Sequence, residues 1–112
     1  MNVNYEKEHL AVVRFLAMTG REILSDNFMG TEVIVVKDDE GIGFVDVDHD
    51  DGIFRSMYRG DFEDLIKRYF MYSDLEDDAA IRYDICRITV LREDRAIIRY
   101  HVNAPLRSEK GE

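Results

Sequence analysis

This chain is poor in the residues that usually announce a function or a special architecture. It has one cysteine, one proline and no tryptophan in 112 residues. A single cysteine excludes an internal disulfide, and no cysteine–histidine spacing points to zinc. Cys86 sits in an apolar, strand-like run, so it reads as a buried, unreactive thiol. No apolar run reaches roughly 18 residues, so no transmembrane helix and no membrane partner are expected. The opening Met-Asn-Val-Asn-Tyr-Glu-Lys-Glu lacks the basic flank and apolar stretch of a signal peptide, and a cytoplasmic protein is the expectation. Positive charge is also scarce, with 15 basic against 24 acidic residues and a net charge of −9. That balance opposes electrostatically driven nucleic-acid binding, whose affinity comes from neutralising phosphates. The basic residues Arg55, Arg59, Lys67 and Arg68 are interleaved with Asp50, Asp51, Asp61, Glu63 and Asp64, which makes mixed charge and not a basic stripe.

The hydrophobic content is ample. It stands at 46%, including six tyrosines and six phenylalanines, enough for one core without staples. Residues 5–19 read as a helix that is apolar around much of its circumference and stopped by Gly20. A short strand is expected around Ile23 and Leu24, then strands at 31–37 and 42–48 joined by a polar turn. A loop over 49–60 leads to a helix N-capped by Asp61, with Phe62, Leu65, Ile66, Tyr69 and Phe70 at helical spacing. After an acidic connection at 73–79 come a long strand at 80–91, a turn and a last strand at 95–102. The expected order is α-β-β-β-α-β-β: an α/β fold with a mixed sheet flanked by helices. The first three strands should form an antiparallel meander, and the second helix should cross over to strand 80–91. Residues 1–105 form a single domain in this reading, and 106–112 a polar C-terminal tail. The expected core is Leu10, Val13, Leu16, Ile23, Val35, Phe44, Val45, Leu65, Ile66, Tyr69, Ile85 and Ile88.

Asp46 and Asp48 stand two apart near the end of a strand, and so share one face. Paired carboxylates there could hold a divalent metal or could be a solubilising strand edge. An EF-hand does not fit. A loop starting at Asp46 would place Asp51 where the sixth-position glycine belongs, and Met57 where the twelfth-position glutamate belongs. His9 reads as a surface or core-edge residue and His101 as a packing residue. Gly41 and Gly43 flank Ile42 in a hairpin and do not form a phosphate loop. The tyrosines are expected to pack with their hydroxyls at the surface.

Several of these segments, taken in order, resemble a known family. Arg14-Phe15-Leu16 and Gly20-Arg21-Glu22-Ile23-Leu24 are followed by Gly30-Thr31-Glu32-Val33-Ile34-Val35. Phe44-Val45-Asp46-Val47-Asp48, Arg82-Tyr83-Asp84-Ile85 and Asn103-Ala104-Pro105 complete the set. The pattern is similar to that of small bacterial predicted endonucleases of the YraN type, in the restriction-endonuclease-like PD-(D/E)XK superfamily. The resemblance spans about residues 9–105. It implies a restriction-endonuclease-like fold and a metal-dependent nuclease acting on DNA. The superfamily's metal aspartate falls on Val33, its glutamate on Asp46 and its lysine on Asp48, while the family's first-helix glutamate falls on His9, beside Glu8. Glu32 is acidic but points to the face opposite position 33 in a regular strand. The degenerate catalytic set is therefore Asp46, Asp48 and Glu32, with Asp46 and Asp48 as metal ligands. Asp48 replaces a positive charge needed near the developing transition state. The expectation is lost or much reduced cleavage, no required cofactor, and at most weak binding of Mg2+ or Mn2+. The partner would then be another protein or a second copy of the chain. A weak metal-dependent nuclease using Asp46, Asp48, Glu32 and Glu8 or His9 is the alternative.

Overall fold

Glu6 and Glu8 lie in the first turn of α1 (Tyr5–Met18), where negative charge favours the helix dipole. The computed structural model describes residues 5–73 and 80–108. After α1 come β1 (Glu22–Ser25), a 3-10 turn at Phe28–Gly30, β2 (Ile34–Asp38) and β3 (Gly41–Asp48). Then follow α2 (Arg59–Tyr72), β4 (Ile81–Arg92) and β5 (Arg95–His101). The acidic connection expected at 73–79 lies almost wholly outside the described residues.

The five strands form one sheet in the order β1-β2-β3-β4-β5. The first three pair antiparallel, β3 pairs parallel with β4, and β5 returns antiparallel to β4. This is the expected α-β-β-β-α-β-β mixed sheet, with α2 as the crossover that parallel pairing requires. Turn chemistry sets the β2–β3 register. Asp38 and Gly41 face each other across Asp39-Glu40, and the Glu40 N–H donates to Asp38 Oδ1 at 2.9 Å. Gly41 has φ +129, and a Cβ there would collide with the Ala80 backbone and side chain.

Strand alternation divides the core in two. Ile34, Val36, Val45, Val47, Cys86 and Ile88 face α1, where Val12 and Leu16 are fully buried. Val33, Val35, Ile42, Phe44 and Tyr83 face α2 and meet Phe62 and Tyr69. Phe44 is the hub of that second layer, edge-on to Phe62 and Tyr69 with ring centroids 5.8 and 5.4 Å apart.

The structure corrects several expectations. α1 is not buried all round, because among the described residues it is the single helix on its face of the sheet and nothing packs outside it. Leu10 is 46% exposed, and Met18 is exposed as well. The second helix begins at Arg59, preceded by Tyr58, so Asp61 lies in its first turn and is not its cap. His101 is exposed instead of packed. Tyr83 and Tyr100 bury their hydroxyls in hydrogen bonds to Asp46 and Asp84. Part of the expected tail is docked. Leu106 packs against the α2-side core, and Arg107 bridges to Tyr58, with its N–H donating to the Met57 carbonyl at 2.9 Å. Among the described residues no helix is long and apolar enough to cross a membrane.

Candidate functional site

The end of the sheet where β3 finishes gathers most of the residues singled out from sequence, but it divides them between two faces. Asp46 and Asp48 share the α2 side, as their spacing requires. Asp46 accepts a hydrogen bond from the Tyr83 hydroxyl at 2.6 Å. Burial pushes the Asp46 carboxyl above its usual range, more than the Tyr83 hydrogen bond draws it down, and the nearby charge of Glu32 adds to the rise. Burial, and then the same contact, push the Tyr83 phenol well up. Asp48 is 1% exposed and fully engaged. Its Oδ2 accepts from Arg87 Nε at 2.7 Å, and its Oδ1 accepts the Asp50 N–H at 2.8 Å. Val33 is buried among the apolar residues beneath α2.

Glu32 lies on the other side, towards α1, where it joins residues that no local spacing connects. His49 Nδ1 faces Glu8 Oε1 at 2.7 Å, and its Nε2 faces Glu32 Oε1 at 2.7 Å. His9 Nδ1 faces the same Glu32 oxygen at 3.3 Å, while its Nε2 donates to the Asp26 carbonyl. Tyr5 stacks on His49 with ring centroids 3.9 Å apart. The His49 side chain is 6% exposed and Glu32 44%. A cavity of about 440 Å³ opens beside this group, lined by Tyr5, His9, Asp26 and Glu32 among others. The structure thus brings Glu32, Glu8 and His9 together around His49, which the sequence had assigned only to a loop, and leaves Asp46 and Asp48 across the sheet.

A second polar cluster, missed by sequence reasoning, occupies the opposite end. Arg82 Nε donates to both oxygens of Asp84 at 3.0 Å, and its Nη1 and Nη2 reach Asp38 at 3.1 and 2.7 Å. Tyr100 and the Asn103 N–H also donate to Asp84, while Arg21 donates to Asp38 and lies over the Tyr100 ring. The Arg82 guanidinium holds the Asp38 carboxyl down at about 2. Arg82 and Asp84 belong to one of the segments that carry the family resemblance, and their i, i+2 spacing on one strand was the available signal. Their environment makes them a buried, mutually neutralised network. Cys86 is fully buried, and burial pushes its thiol up to about 12, as expected of an unreactive cysteine.

Comparison with protein-family models, curated proteins and solved structures finds no match to this chain.

Proposed function

We propose that this chain is a cytoplasmic, restriction-endonuclease-like domain that does not cleave nucleic acid and acts by binding a protein partner or a second copy of itself. The carrying observation is that the candidate metal carboxylates already have partners within the protein. Asp46 is held by Tyr83, and Asp48 by Arg87 and the Asp50 N–H. The third ligand position is the buried Val33. A hydrated Mg2+ dehydrates reluctantly and would have to displace those contacts with one ligand missing. The fold part of this reading is supported only at the level of a mixed α/β architecture, a five-stranded mixed sheet with two helices, and fold by itself does not establish activity. Binding is favoured by the β4–β5 hairpin, which leaves Val90, Leu91 and Ile97 exposed and whose β5 has no neighbour on its outer edge among the described residues.

The test is metal-dependent cleavage of single-stranded, double-stranded and branched DNA by the purified protein with Mg2+ or Mn2+. Asp46→Ala controls for contaminating nuclease. The expected result is no cleavage above the control. Robust cleavage that disappears in Asp46→Ala would replace this reading with that of a weak metal-dependent nuclease.

A further inference from the structure

We propose that His9, His49 and Glu32 form a binding site for a divalent transition-metal ion of the Zn2+ class, on the α1 side of the sheet and separate from Asp46 and Asp48. This proposal does not depend on the nuclease-like reading of the fold.

The argument starts from the hydrogens. The Asp26 carbonyl can only accept, so His9 Nε2 carries a proton. A neutral His9 then presents a bare Nδ1 lone pair to Glu32 Oε1, 3.3 Å away. His49 has a carboxylate at each ring nitrogen, Glu8 Oε1 and Glu32 Oε1, both at 2.7 Å. A neutral ring donates only once, so it too leaves a lone pair against a carboxylate. The group therefore calls for positive charge at the point where Glu32 meets both rings. Among the described residues neither Lys nor Arg pairs with Glu8 or Glu32, so that charge comes from a second proton on each ring or from a metal ion in its place.

The outer contacts are those that metal-bound imidazoles use. A ligating histidine almost always gives its other N–H to a carboxylate or a backbone carbonyl, which fixes the ring and its tautomer. Here Glu8 serves His49 and the Asp26 carbonyl serves His9. Stacking on Tyr5 further fixes the His49 ring. Two imidazoles with one carboxylate suit Zn2+ and its neighbours, whereas Mg2+ takes oxygen ligands. As they stand, the three groups contact one another, and among the described residues no three His, Cys, Asp or Glu side chains form a ready-made cage. The ion would enter by taking the place that Glu32 Oε1 holds between the rings. Glu32 can swing back because its side chain is 44% exposed, and the adjoining cavity leaves a side open to water.

Isothermal titration of the untagged full chain with ZnSO4 tests the site, paired with the visible spectrum of the Co2+ form. The expected result is one ion per chain with Co2+ d–d bands of nitrogen–oxygen ligation. MgCl2 should give no comparable isotherm. His49→Ala and His9→Ala should abolish the one-site isotherm, and Glu8→Gln should weaken it roughly 10–100-fold. Glu32→Gln, at an exposed position, should also abolish it, and its circular dichroism should match the parent, so that lost binding is not lost folding. The third histidine is an internal control, because His101→Ala should bind as the parent does. Zn2+ binding that is absent, or that survives unchanged in the His9→Ala/His49→Ala double variant, would overturn the proposal. Binding lost only in Asp46→Asn would also overturn it, by moving the ion to the other face. None of these outcomes bears on DNA cleavage, which the assay above decides by itself.

Discussion

The two ends of the sheet make the same kind of polar investment and complete it differently. Where β2 ends and β4 begins, Asp38 and Asp84 meet Arg21 and Arg82, and each carboxylate has a guanidinium within 3.1 Å. Where β3 ends, Glu8 and Glu32 meet two imidazoles on the α1 side, while Asp46 and Asp48 meet a phenol and the Arg87 guanidinium on the α2 side. The first cluster balances its charges with residues of the chain. The second leaves Asp46 with a raised carboxyl beside the Glu32 charge. Carboxylates that are buried or crowded without matching cations are commoner at working sites than in structural networks. The contrast is one of charge balance: the β4 start neutralises its carboxylates with guanidinium groups, and the β3 end sets most of its carboxylates against imidazoles and a phenol.

The largest expected effect breaks the guanidinium-balanced end. Asp84 is fully buried and accepts from Arg82, Tyr100 and the Asn103 N–H. Asp84→Ala leaves Arg82 Nε, the Tyr100 hydroxyl and the Asn103 N–H without their shared acceptor, although Asp38 still holds the far end of the guanidinium, and should cost about 3–5 kcal/mol in urea denaturation. A loss below about 1 kcal/mol would mean the network is no more structural than the other end.

Gly43→Ala is the next test. A Cβ at Gly43 would lie 2.6 Å from Asp84 Oδ2 and 3.0 Å from Arg82 Nη2. Because Arg82 and Tyr100 hold that carboxylate, it has little room to yield, and a cost of about 1–3 kcal/mol is expected from the same denaturation measurement.

The smallest effect sharpens the comparison through its sign. Asp38 is held at about 2 in the folded protein, below its ordinary 3.8. Its contribution to stability is present above that ordinary value and is lost as pH falls towards about 2. Asp46 is raised by burial, so its contribution runs the other way. The folded state keeps its proton more readily, and stability declines as pH rises through the raised value. Asp38→Asn should therefore lower stability at neutral pH and flatten the acid limb of the stability profile. Asp46→Asn should leave neutral-pH stability within about 1 kcal/mol of the parent or above it, since the Tyr83 hydroxyl still has an oxygen to bond. Thermal unfolding across pH 2 to about 8 reads both. Equal losses from the two variants would erase the distinction between the ends.

Much of the architecture was legible because it rests on local periodicity. The alternation in 34–48 and the spacing of Phe62, Leu65, Ile66 and Tyr69 placed the strands, the second helix and the crossover correctly. Helix boundaries were less legible. Asp61 looks like a cap, yet Tyr58 precedes the helix, where Arg107 returns beside it and bonds to the Met57 carbonyl and the Arg59 N–H on either side. Leu10 belongs to an apolar run, but a lone helix on one face buries only the stripe around Val12 and Leu16.

What the sequence determined by itself was therefore the element order, the mixed sheet, the inert Cys86 and the shared face of Asp46 and Asp48. All of these follow from helix and strand geometry over a few residues. Only the tertiary structure decided that Asp38 joins Arg82, and that Glu8, His9, Glu32 and His49 meet at one point. Those contacts link residues 17 to 44 positions apart. Such partners are fixed by how α1 lies across the sheet and by strand register, neither of which leaves a periodic trace in the chain.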